Sequence, residues 1–239
     1  MTPEKLVQEM KAACGDKLKS VILYGSAAAG DYGAKNSDYN LLVVVEDMEQ
    51  ATLKAFSRSA ITWAKAGNPA PLLFTEARLK QAGDVFPIEL LDIKDCHKIL
   101  FGINIVEDID ISTVNLRLQI EHELRGKLIQ LRQGYLMVAG KQNKVVELMT
   151  QSLSTFLVLF RAALRLFEDD VPAKKIDALT KLTGHIEFDM DVFKNVQQIK
   201  SGDVKIKYVK AESLFGRYLN TIENVIDAVD AFIKKGEER

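Results

Sequence analysis

The spacing of apolar residues changes character once along this chain, near residue 110, and that change constrains the architecture more than any other feature. Before it, apolar residues come in short runs closed by glycine or turn formers. Ser20-Val21-Ile22-Leu23-Tyr24 ends at Gly25, and Tyr39 to Val45 ends before Glu46. Such runs, rich in β-branched residues, fit buried strands. After it, Leu116, Ile120, Leu124, Leu128, Leu131 and Tyr135 recur at three- and four-residue steps. That spacing is the apolar stripe of a helix. The pattern predicts an α/β domain over residues 1–105 and an all-α helical bundle over 106–239, with the crossover inside 103–112.

Local signals refine this outline. Thr2 before Pro3 is a helix start, hydroxyl cap then proline, for a helix ending near Gly15. Strands are expected at 20–24, 39–45, 71–74 and 86–93. Ser26 to Ala29 reads as a brief helix and Gly30 to Asn36 as turns. Asp47 caps a helix over 49–65, and Thr75 starts a short one. The later helices are expected at 112–139, 144–169, 173–183, 189–200 and 210–235, with Gly140 as a terminator.

Charge excludes one class of partner. Charged residues are 27% of the chain, yet the net charge is −1. A bulk basic surface for nucleic acid is therefore not expected. Cys14 and Cys96 form no disulfide framework, which points to a reduced, cytoplasmic protein. Residues 1–5 have no apolar signal core. The longest apolar stretch, Ser152 to Leu166, is interrupted by Arg161 and Arg165, so it reads as a buried helix and no membrane partner is expected.

The chemistry concentrates between the first two expected strands. Leu23-Tyr24-Gly25-Ser26 is followed, after the eleven residues 27–37, by Asp38-Tyr39-Asn40 opening the next apolar run. Gly25 lets backbone approach a phosphate, and Ser26 with the amides after it can hydrogen-bond one. Strand alternation puts positions 38 and 40 on one face.

This arrangement resembles the signature of the DNA-polymerase-β-like nucleotidyltransferase superfamily: an apolar strand, Gly-Ser, a spacer, then Asp-x-Asp/Glu inside a second apolar strand. The resemblance covers about residues 18–95. It implies a small mixed sheet with helices packed on it, often followed by a helical domain. It also implies a nucleoside triphosphate bound with Mg2+, the metal being held by carboxylates. Carried over by position, Gly25, Ser26 and Asn40 hold the nucleotide, and Asp38, Asn40 and Glu89 form the metal set. Asp38 and Glu89 are then the catalytic carboxylates. Glu89 is the match for a third carboxylate on a neighbouring strand, since a charge within the apolar run 86–93 needs a partner or a metal. Asp92 is the second choice.

Two positions depart from the pattern. Ala29 stands where many relatives carry arginine. Asn40 stands where the second carboxylate belongs, and its neutral oxygen brings no charge to a hard dication. Two functions follow. One is nucleotidyl transfer to a hydroxyl of an unidentified small-molecule or macromolecular acceptor. The other is a catalytically degenerate nucleotide-binding or partner subunit. A homodimer through the helices is compatible with both. Elsewhere, Arg117, Glu121 and Arg125 read as charge pairs one helical turn apart, Trp63 as packing, and His185 as a loop residue.

Overall fold

A computed structural model describes residues 1–25, 27–28, 39–206 and 210–232. The chain divides into two compact units, Met1–Ser112 and Thr113–Arg239. The apolar pattern of the sequence puts this division at 105/106.

In the first unit, α1 (Pro3–Cys14) starts as its sequence dictates: the Thr2 hydroxyl accepts from the Lys5 amide, with Pro3 at the first helical position. Strand β1 (Leu18–Tyr24) pairs antiparallel with β2 (Asn40–Val45), Tyr24 opposite Asn40. Helix α2 (Gln50–Lys65) leads to β3 (Leu72–Thr75), which lies parallel to β2. Then come α3 (Glu76–Gln81), α4 (Pro87–Asp95) and β4 (His97–Gly102), the last antiparallel to β1. The sheet order is β3-β2-β1-β4, and the sheet is mixed.

Both faces of β1 and β2 are covered, which explains why their sequences are continuously apolar. One face presents Val21, Leu23, Leu41 and Val43 to α1 and to Phe56 and Trp63 of α2. Trp63 is fully buried, and its indole N–H donates to the Pro69 carbonyl at 2.9 Å. The other face presents Ile22, Leu42 and Val44 to Leu79 of α3, Leu90 and Ile93 of α4, and Val106 and Ile109 beyond β4.

The expected strand over 86–93 is a correction: these residues begin α4, and Glu89 lies on a helix. Pro87 occupies the first helical position, where no amide hydrogen bond is lost. The buried positions are Pro87, Ile88, Leu90 and Ile93, and Lys94 closes the last turn. The strand of this region comes later, as β4, which the sequence pattern missed. Its Lys98 and Ile99 are exposed and most of its other residues half-buried, as suits an edge strand. Its apolar signal is correspondingly weak.

Asp47 acts just upstream of α2. Its carboxylate accepts from the Thr52 hydroxyl at 2.5 Å and the Glu49 amide at 3.1 Å, and pairs with Lys17 at 2.9 Å. The Thr52 bond, then the Lys17 bond, lowers its pKa from 3.8 to about 2. A depressed carboxylate contributes stability that is present above its ordinary pKa and lost as pH falls through the folded value. Melting temperature is therefore expected to fall from about pH 4 towards pH 2 more steeply in the native chain than in Asp47→Asn. Parallel curves would show that Asp47 gains nothing on folding.

The second unit is helical: α5 (Thr113–Val138), α6 (Gln142–Leu164), α7 (Lys175–Leu182), α8 (Met190–Ser201) and α9 (Ala211–Asp230). The stripe Leu116, Ile120, Leu124, Leu128 and Leu131 is the buried face of α5, as its spacing predicts. Helix α6 is the core helix, packed by α5, α7, α8 and α9, with Met149, Leu153, Phe156 and Phe160 buried. Its length and hydropathy would also suit a membrane span, but half of its most apolar window is buried inside this unit. Glu121 bridges Arg117 and Arg125 at 2.9 and 2.8 Å, each one turn away.

Candidate functional site

The end of β1 is the focus of the first unit's polar groups. Gly25 has φ +78°, a conformation that favours glycine. It is clamped on both sides. Its N–H donates to the Cys96 carbonyl at 3.2 Å, and its own carbonyl accepts from the Ala28 amide at 2.9 Å and faces the Cys96 thiol at 3.7 Å.

Register aligns three side chains across the sheet at this end. Tyr24 stands opposite Asn40 on β2 and opposite His97 on β4. Tyr24 packs with the α3/α4-side core, so alternation and pairing put Asn40 on that same face. A Cβ added to Gly25 would lie 3.4 Å from Asn40 Nδ2. The Asn40 carboxamide therefore lies directly against the glycine turn.

Helix α4 covers this face and carries Glu89 in its first turn, exposed to solvent. Burial raises the Tyr24 phenol above its ordinary pKa, and the negative charge of Glu89 raises it further. Asp92 is half-buried one turn along the same helix. His97 ties the other end of α4 to the sheet: its Nδ1 lies 3.0 and 3.2 Å from the carbonyls of Ile93 and Lys94. Nδ1–H is then the donor.

Of the expected site residues, Gly25 and Asn40 lie against one another where β1 meets β2, and Glu89 lies on α4, which covers that face of the sheet. The sequence pattern calls for a neighbouring strand to supply Glu89; the structure supplies it from a helix. Ser26 and Asp38, and the departure at Ala29, lie outside the described residues. Sequence reasoning misses Tyr24 and His97 as members of this constellation. Tyr24 is visible in sequence only as the residue before Gly25, and His97 enters through the unpredicted β4. Among the described residues no three His, Cys, Asp or Glu side chains are grouped to hold a metal ion.

A cavity of about 700 Å³ lies within the second unit, lined by Asn143, Glu147 and Gln151 of α6 and Lys200 of α8. Its charged groups already have partners: Glu147 binds Lys144 and Gln151, and Lys200 binds Ser154. The convergent groups at the Gly25 turn make the better candidate site.

No protein-family model and no curated protein sequence matches the chain. Among solved structures, it is similar to the crystal structure of spectinomycin adenyltransferase AAD(9) from Enterococcus faecialis with ATP and spectinomycin. The identity is 14% and the TM-score 0.53, over 96% of this chain and 100% of that one. A toxin-antitoxin structure with AMP-PNP aligns at 16% identity and a TM-score of 0.34, over 55% of this chain and 99% of that one. At this identity, what the first alignment establishes is the fold. With its small mixed sheet, covering helices and following helical unit, the chain has the fold of the DNA-polymerase-β-like nucleotidyltransferases.

Proposed function

We propose that the chain binds a nucleoside triphosphate at the Gly25 turn and transfers its nucleotidyl group to a hydroxyl acceptor. The observation that supports this is the Gly25 turn with Asn40 against it, on the sheet face covered by the helix that carries Glu89, in a nucleotidyltransferase fold. The adenyltransferase with the similar fold was crystallised with ATP.

Gly25, with no side chain, admits a phosphate to the turn, and the Ser26 hydroxyl hydrogen-bonds it. Asp38 and Glu89 are the catalytic carboxylates and the residues suited to hold Mg2+. When bound, the metal would neutralise charge on the leaving pyrophosphate and lower the pKa of the acceptor hydroxyl. Glu89 fits that role by charge and placement. Asn40 can offer a neutral carboxamide oxygen, which adds no negative charge.

A second reading has a specific observation in its favour. The neutral Asn40 suits a nucleotide-binding or partner subunit without transfer activity. Calorimetry with ATP, GTP, CTP and UTP, with and without magnesium, tests binding, and pyrophosphate release across an acceptor panel tests transfer. At least one nucleotide is expected to bind with a dissociation constant between about 1 μM and 1 mM. Binding without release under every acceptor would select the second reading, and absence of binding would sink both.

A further inference from the structure

Helix α5 buries one side and carries a second apolar stripe on the other. Leu116, Ile120, Leu124, Leu128 and Leu131 are buried in the second unit. On the opposite side Leu118, Ile129, Leu136 and Met137 are exposed by 48, 55, 77 and 79%. Leu118 and Leu136 are separated by five full helical turns, so they lie on one line along α5, and Ile129 falls within about 20° of it. Exposed His122 and Gln133 share that side. The charges that border it are engaged within the chain. Arg125 pairs with Glu121 and with Asp230 of α9, and Arg132 pairs with Glu223 of α9. Single exposed apolar side chains are ordinary, whereas an aligned set over five turns marks an association surface.

We propose that this face of α5 is a homodimer interface, packed antiparallel against α5 of a second copy about a twofold axis near Gly126. A twofold is isologous, so each residue must find its complement on the same helix. An axis that sets Leu118 against Leu136 of the second copy does this. The same register brings Arg132 opposite Glu121 of the second copy, and Glu121 opposite its Arg132. Both residues lie on the α9 side of the stripe, the side that meets itself across such an axis. Two symmetric opposite-charge pairs therefore flank the apolar contact. A parallel pairing would instead set Arg132 against Arg132 and Glu121 against Glu121, and like charges so placed repel. Ile129 falls over Gly126 of the second copy, where even an added Cβ would meet nothing within 4 Å. Apolar and charged positions thus agree on one register. Because the bordering charges are already balanced in the chain, the stripe offers little to a strongly acidic or basic partner. The helix has 26 residues. At about 39 Å of length it yields a small interface, which suits a weak, concentration-dependent dimer.

Sedimentation velocity of the full chain over a concentration series tests this. A monomer–dimer equilibrium is expected with a dissociation constant of about 1–100 μM. Leu136→Lys, which places an ammonium in the apolar contact, should weaken it about tenfold or more. Leu53→Lys, an exposed leucine on α2, should leave it unchanged. Register is read by disulfide trapping. Leu118→Cys and Leu136→Cys chains, mixed and mildly oxidised, should join position 118 to position 136, as identified by peptide mass. Either variant alone should not couple through its new cysteine, since two copies of one position would lie about 27 Å apart. Melting curves at low concentration verify that each variant folds. A native chain that stays monomeric throughout the series overturns the inference. So does a dimer that Leu136→Lys leaves as tight as before, because association then uses another face. Leu118→Cys coupling to itself as readily as to Leu136→Cys would overturn the antiparallel register.

Discussion

Glu89→Gln is expected to lower pyrophosphate release from the full chain by about a hundredfold or more, while its melting temperature stays close to that of the native protein. Glu89 is exposed in the first turn of α4, and its carboxylate lies near enough to Tyr24 to raise the phenol's pKa. Glutamine keeps the size and removes the charge. A carboxylate that moves a proton or supports a cation in the reaction typically contributes a factor of about 10² to 10⁴. The folding cost is smaller. A negative charge near a helix N-terminus contributes about 0.3–1 kcal/mol to stability. A single experiment therefore separates the two roles: rate falls by decades and melting shifts slightly. Unchanged release in a variant that retains nucleotide binding would remove Glu89 from the site, and Asp92→Asn would be the next comparison.

Gly102→Ala should destabilise the first unit by about 3–5 kcal/mol, the sum of backbone strain and overpacking. Gly102 closes β4 with φ +79°. A Cβ there would lie 1.9 Å from the Lys19 carbonyl oxygen and 3.0 Å from the Ser20 Cα, and both obstacles are backbone. Neither can move without disturbing β1. Ser20 holds the same corner, donating its buried hydroxyl to the Phe101 and Ile103 carbonyls at 3.1 and 2.8 Å. Gly126→Ala is the matched control. Gly126 lies inside α5, with nothing within 4 Å of an added Cβ. That substitution should stabilise the helix by about 0.5–1 kcal/mol. Denaturant unfolding of the two variants checks both signs. A Gly102→Ala midpoint equal to the native one would mean that the β1–β4 corner is looser than its contacts indicate.

Several features are legible in the residue order alone. The α5 stripe from Leu116 to Leu131 is periodic over four turns, and its buried face is the one its spacing predicts. The Thr2 and Thr75 caps accept from Lys5 and Arg78 as local hydrogen-bonding rules require. The α/β character of the first unit follows from runs too short for helices and closed by glycine. These are all local properties: each signal and its consequence lie within a few residues of one another.

Residues 86–102 are settled otherwise. Phe86 to Ile93 carries an apolar run that suits a strand and a proline that suits a helix start, and local propensity does not choose between them. Packing does, because only a helix lets Leu90 and Ile93 cover Ile22 and Leu42 from one side. Once α4 is a helix, the edge of the sheet passes to His97–Gly102, a segment too exposed to announce itself. The candidate site follows the same division. Gly25, Asn40 and Glu89 are named in the sequence through the motif they resemble, Glu89 on a strand that proves to be a helix. The contact of Asn40 with Gly25, and the entry of Tyr24 and His97, depend on strand register, since contacts between residues far apart in the chain exist only once the sheet has paired.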